Sequence, residues 1–211
     1  SPDLSIVSME KEIAEVCGGA TKVFADIGAE VTDEIPDFTG VLEAFQTLRA
    51  VLFATMMEPI LKQHRDRIAP EIIGNIERGL NIKPAQIFEA ERVRIELFKK
   101  ILVFLETHDF LICPAASIAP FPVEQRYVTE IDGKPCETYI DWFSITFALT
   151  MTACPTISVP CGFTSEGLPV GVQIMGKPRG EGELLLAAKQ FEAAIGISAQ
   201  LPITPQKQKL T

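Results

Sequence analysis

Residues 153–163 read Ala153-Cys154-Pro155-Thr156-Ile157-Ser158-Val159-Pro160-Cys161-Gly162-Phe163, and residues 167–176 read Gly167-Leu168-Pro169-Val170-Gly171-Val172-Gln173-Ile174-Met175-Gly176. Each holds a short run rich in β-branched residues, which favours extended backbone. A strand over 156–159 is expected to stop at Pro160, because proline cannot donate to a ladder. A second strand is expected over 170–175. Glu166-Gly167 turns the chain between them, and Gly162, Gly167 and Gly171 permit positive φ or close backbone approach. The two runs read as a hairpin of a central sheet. A helix over 180–195 follows, with Leu184, Leu185, Ala188 and Phe191 on one face.

Working upstream, the irregular stretch 114–138 carries Pro120, Pro122 and Pro135, and Asp132-Gly133 is a turn signal. A helix is expected over 139–152. Phe110-Leu111-Ile112-Cys113, closed by Pro114, is a candidate buried strand. Residues 40–106 read as mostly helical, a layer or lid. One helix covers 41–63 around Pro59, Pro70 opens a second that Gly79 ends, and Pro84 opens a third. In that third helix Ile95, Phe98, Leu102 and Leu105 form an apolar stripe expected in the core. At the beginning, Ser8 is the expected N-cap of a helix bearing Ile13, Val16, Ala20, Val23, Phe24 and Ile27, which Gly28 stops. Residues 29–35 alternate like a strand, and the tail after Pro202 reads as loose. The fold class is α/β: a mixed β-sheet covered by helices, with a helical insertion.

Hydrophobic residues make up 47% and mean hydropathy is +0.21, so a sizeable core is available and some apolar surface is expected to meet a partner. The net charge of −9 excludes the basic footprint of nucleic-acid binding. No apolar run reaches the roughly 18 residues of a membrane span. Five dispersed cysteines without a C-x-x-C pair point to a reducing compartment, the cytoplasm. Two histidines supply a zinc site poorly, so no metal is expected. The chain opens on Ser1-Pro2-Asp3 rather than Met, which reads as a truncated, cleaved or split protein. Such a piece would expose sheet edges, and an oligomer is expected.

A serine or cysteine nucleophile needs a base beside it. His64 lies in a polar stretch, and nothing local supports a pair between His108 and Cys161. No G-x-S-x-G elbow and no phosphate loop occurs; Gly18-Gly19 sits in a helical pattern without the Lys and Ser of such a loop.

The quoted block, P-x-I-S-V-P-x-G-F followed by G-L-P-x-G-x-Q-x-x-G, resembles the C-terminal block of the amidase-signature family. Glu183-Leu184-Leu185 with Phe191-Glu192 is similar to that family's last helix. Asp109-Phe110-Leu111-Ile112-Cys113-Pro114 and Ala90-Glu91-Arg92-Val93-Arg94 are similar to further family segments. The resemblance covers almost the whole chain and is strongest over 109–192. It implies an amide hydrolase working through a serine ester, without a cofactor. It also implies that the Gly/Ser-rich signature, its two serines and the catalytic lysine lie upstream, so no catalytic residue transfers to this chain. The expected partners are the N-terminal half of the same enzyme, or a complementing chain, and a small amide. Two alternatives stand beside this reading: a non-catalytic remnant or scaffold, and the glutamine-using subunit of a tRNA-dependent amidotransferase. In the latter the glutamine is held by an Asp and an Arg. Their places fall near Phe143 and near Gly74 or Asn75, where neither charge occurs. An apolar or aromatic amide is therefore implied, with Tyr139, Trp142 and Phe143 as candidate substrate-binding residues.

Overall fold

Alternation along three strands decides where the helices pack. The computed structural model describes residues 1–197. Helices α1 (Lys11–Asp26), α2 (Val41–His64), α3 (Pro70–Leu80) and α4 (Pro84–Thr107) precede strand β1 (Leu111–Pro114). The short strands β2 (Glu130–Ile131) and β3 (Lys134–Pro135) follow, then α5 (Ser144–Thr150), β4 (Thr156–Phe163), β5 (Pro169–Met175) and α6 (Glu181–Ile195). The larger sheet has the order β1-β5-β4, and all strand pairings among the described residues are antiparallel.

Successive residues of a strand face opposite sides. Leu111, Cys113 and Met175 enter one core with Val41, Leu97, Ile101, Ile145 and Leu149 of the helical layer. Ile112, Val172 and Ile174 enter a second core with α1 and α6, where Phe24 and Phe191 stack at 4.7 Å. Gln173 interrupts the apolar run on β5. It is buried, and its amide donates to the Pro114 carbonyl at 3.0 Å, tying β5 to the end of β1.

Several elements differ from the reading of the sequence. Strand β4 runs past Pro160 to Phe163, because a register shift between Pro160 and Gly162 absorbs Cys161 as an extra residue. Proline is tolerated there because, among the described residues, β4 pairs on one side only, with β5. Residues 29–35 form no strand; they are largely exposed and lack a pairing partner among the described residues. The expected 139–152 helix divides into a 3₁₀ turn, Asp141–Phe143, and the short α5. Glu10, not Ser8, is the N-cap of α1, held by its amide on the Ser117 carbonyl at 2.9 Å and its carboxylate on the Ala119 amide at 2.9 Å. The buried stripe of α4 is Ala90, Leu97, Ile101 and Leu105, while Ile95 and Leu102 are exposed. Leu185 is likewise exposed on α6. The expected loose tail lies outside the described residues. Asp132-Gly133 forms the turn expected of it, both residues at positive φ between β2 and β3.

Candidate functional site

The segment leading into α5 is shaped by one carboxylate. Asp141 accepts from the backbone amides of Glu137 at 2.7 Å and Thr138 at 2.9 Å, and from the Thr138 hydroxyl. This closes a tight turn and starts the 3₁₀ turn that carries Trp142 and Phe143. The Trp142 carbonyl accepts from the Ser117 amide at 3.1 Å, fixing the turn to the chain beyond β1.

Trp142 and Phe143 stand side by side, edge-on at 4.8 Å. Trp142 meets Phe121 at 5.4 Å, Phe143 meets Phe147 at 5.9 Å, and Phe147 stacks on Phe45 of α2 at 4.0 Å. Together they form a continuous aromatic run from the irregular segment to the helical layer. Each ring is half-buried or buried, so the run is both wall and core.

Tyr139 does not join this run. Its hydroxyl accepts from Arg49 of α2 and from the Asn75 amide of α3 at 2.9 Å. The Arg49 guanidinium also lies 4.6 Å above the Phe53 ring and 5.4 Å from the Tyr139 ring. A positive charge therefore stands beside Asn75, although no basic residue occurs at 74 or 75. Sequence reasoning missed Arg49, which lies within the apolar run Leu48-Arg49-Ala50-Val51-Leu52 and 90 residues from Tyr139. The one local signal was a lone charge inside an apolar helix.

Among the described residues no serine or cysteine is assembled with a histidine; the hydroxyls beside His108 are those of Thr32, 3.3 Å from Nε2, and Thr107, 3.0 Å from Nδ1. His108 ends α4 with its ring stacked on Phe104 at 4.0 Å, Nδ1 near the Phe104 carbonyl at 3.1 Å and Nε2 3.6 Å from Glu34. Cys161 is turned instead to Cys17, with the sulfurs 3.9 Å apart beneath α1. The Ser117 hydroxyl is wholly buried and unpartnered, with no base beside it. The Cys17 thiol is pushed up by its hydrogen bond to Cys161 and by burial. Burial pushes Cys113 up to about 12, so it is a neutral core thiol at pH 7. Two surface cavities, of about 500 and 300 Å³, are lined by neither Tyr139, Trp142 nor Phe143. Among the described residues no group of His, Cys, Asp and Glu is placed to hold a metal. No described helix is long and apolar enough to cross a membrane.

The Cys113 environment has a measurable consequence. The folded state holds the proton more tightly than the unfolded chain, whose thiol ionises near 9. The resulting stabilisation is complete below pH 9 and is lost as pH rises toward 12. Complete loss corresponds to about 4 kcal/mol at 1.36 kcal/mol per unit. Denaturant melts from pH 8 to 11 should show a steeper alkaline fall for the native chain than for Cys113→Ala. Equal slopes would show that Cys113 ionises without unfolding.

The profile of the family described as Amidase matches residues 2–185. An acylamidase of Rhodococcus erythropolis is 26% identical over 196 residues, covering 92% of this chain and 41% of the relative. A glutamyl-tRNA(Gln) amidotransferase subunit of Thermodesulfovibrio yellowstonii is 35% identical over 122 residues, covering 57% of this chain and 24% of the relative. A bacterial aryl acylamidase of the amidase-signature family has a similar structure, with TM-score 0.80 at 22% identity over 96% of this chain and 45% of that one. A 6-aminohexanoate cyclic dimer hydrolase superposes with TM-score 0.79 at 22% identity, over 95% of this chain and 45% of that one. The chain thus spans about two fifths of the length of the acylamidase. Its sheet, its helical layer and the match over 2–185 together show that the chain belongs to the amidase family.

Proposed function

We propose that this chain supplies the sheet, the helical layer and part of the substrate wall of an amide hydrolase. The nucleophilic serine, the second serine, the lysine and the oxyanion donors are carried by polypeptide outside these 211 residues. The observation that carries this reading is the family match over 2–185, in a chain that spans only about two fifths of the acylamidase. In the reaction the serine oxygen attacks the amide carbonyl, the C–N bond breaks, and the amine leaves with the serine's proton. Water then cleaves the ester to a carboxylic acid and restores the serine. No step needs a metal or a redox cofactor.

The aromatic run through Trp142 and Phe143 supports an apolar or aromatic face on the substrate. The five free cysteines agree with a reducing compartment, the cytoplasm. Residues 1–211 are taken as the C-terminal portion of one amidase-signature domain, whose natural partner is the remainder of that domain. Similarity to the glutamyl-tRNA(Gln) amidotransferases supports a second reading, ammonia release from glutamine.

The chain alone is expected to show no turnover of acetanilide, benzamide or glutamine. Joined to the polypeptide that completes the fold, it should hydrolyse an anilide faster than it releases ammonia from glutamine. Turnover by the chain alone would overturn the assignment of the chemistry. A strong preference for glutamine would replace the first reading with the second.

A further inference from the structure

We propose that Cys17 and Cys161 are a modification site for hydroperoxides, at which oxidation joins the two sulfurs in a reversible disulfide and staples α1 to β4. The inference stands apart from the amidase reading. Cys17 lies on the buried face of α1 with Ile13, Ala20 and Phe24. Cys161 lies on β4, 144 residues further along the chain. Their sulfurs are 3.9 Å apart, and among the described residues no other two cysteines bring their sulfurs within hydrogen-bonding distance. Cys113 belongs to the other core, where its sulfur accepts from the Gln173 amide at 3.8 Å.

A disulfide has an S–S bond of about 2.05 Å, so the pair must close by roughly 2 Å. The surroundings permit that movement. Cys161 is the extra residue of the β4 bulge: Pro160 stands opposite Gly171, Gly162 stands opposite Val170, and Cys161 has no partner across the ladder. Shifting an unpaired bulge residue breaks no ladder pairing. Helix α1 is held close on the other side. A Cβ on Gly162 would stand 2.7 Å from Cγ1 of Val16. The Glu10 carboxylate accepts from the Ala119 amide at 2.9 Å and the Glu12 carboxylate from the Ser165 amide at 2.6 Å, which pins the start of the helix.

The two thiols are not equivalent. The hydrogen bond between them keeps the proton on Cys17 and lowers the Cys161 thiol, against the opposing effect of burial. The thiolate is the reactive form, so Cys161 reacts first. Its sulfur attacks one peroxide oxygen, the O–O bond breaks, and the leaving hydroxide takes up a proton to become water. Cys161 is then a sulfenic acid. The Cys17 sulfur attacks the Cys161 sulfur, the S–O bond breaks, and the departing hydroxide leaves as water with the Cys17 proton. The two thiols have together lost two electrons, and hydrogen peroxide has become two waters. Each cysteine is 6% exposed, which slows the first step relative to an open thiol. The second step joins groups already in contact.

The test treats the chain with hydrogen peroxide at a dose that oxidises the half-buried Cys136. Remaining thiols are alkylated in denaturant, and the peptides are mapped by mass spectrometry with fragmentation. The expected product joins the peptide of Cys17 to that of Cys161 and is lighter than the two by a pair of hydrogens. The staple spans 144 residues and restricts the unfolded chain. Oxidation should therefore raise the melting temperature by on the order of 10 °C. Dithiothreitol should reverse both changes. Cys17→Ala and Cys161→Ala should show neither the cross-link nor the rise. Cys17 and Cys161 both recovered as alkylated thiols would overturn the proposal. So would sulfinic acid at Cys161 beside a free Cys17, a cross-link from either to a different cysteine, or a stapled chain that melts no higher. Should a variant fail to fold, the peptide map and melts of the native chain, with and without dithiothreitol, decide the proposal without it.

Discussion

Gly79→Ala is expected to destabilise the chain by about 3 kcal/mol or more, lowering its melting temperature by on the order of 10 °C. Gly79 lies in the last turn of α3, pressed against α2. A Cβ there would stand 2.0 Å from the Ala50 carbonyl oxygen, 2.6 Å from its carbon and 2.8 Å from the Ala54 Cβ. Two of those atoms are backbone and the third is fixed to it, so no rotamer change relieves the clash. The helices must separate, and α3 carries Asn75 while α2 carries Arg49. The substitution should therefore disturb the Tyr139 cluster as well. Gly74 is the control in the same helix: a Cβ meets nothing within 4 Å. Gly74→Ala should stabilise slightly, by about 0.5–1 kcal/mol, through helix propensity alone. Thermal melts of the two variants decide the matter, and a Gly79→Ala protein as stable as the native one would show that α2 and α3 do not pack this closely.

Phe191→Ala should cost about 3–5 kcal/mol, the range for emptying a buried aromatic site. Phe191 is 0% exposed and stacks on Phe24, so its loss leaves a cavity between α1, α6 and the sheet. Neighbouring side chains there include Val172 and Ile174, whose β-branched shapes on a strand cannot swing in to fill it. The expected readout is a denaturant midpoint shifted without a change in slope. Leu185→Ala is the comparison. Leu185 is 58% exposed, and its truncation should change stability by less than about 0.5 kcal/mol. A larger effect at Leu185 than at Phe191 would mean that α6 presents its other face to the sheet.

That comparison also marks how far the sequence could be read. Leu184, Leu185, Ala188 and Phe191 share helical spacing, but Leu185 and Leu186 are both apolar, so periodicity alone could not set the edge of the buried face. The same ambiguity displaced the stripe of α4, where Leu97 and Ile101 are buried and Ile95 and Leu102 are not. The hairpin β4–β5 was legible because its strand and turn residues are local, with Gly167 at φ +80° where a turn requires it. The extension of β4 through Pro160 was not, since it depends on β4 having β5 as its one neighbour among the described strands. At the candidate site, Trp142 and Phe143 stand side by side because they are adjacent in the chain. Arg49 escaped because it meets Tyr139 only once α2, α3 and the turn at Asp141 have assembled.

The strand order carries a consequence for how the chain acquires its shape. The β4–β5 hairpin closes a short loop and can form at once, whereas Cys113 of β1 finds Gln173 of β5 across 60 residues. Closing the longer loop costs more entropy, though only by the logarithm of its length. During synthesis β1 leaves the ribosome long before its only partner among the described strands exists. Until β5 emerges, Leu111 has no Met175 and Cys113 no Gln173 to pair with, and β1 joins the sheet only through β5.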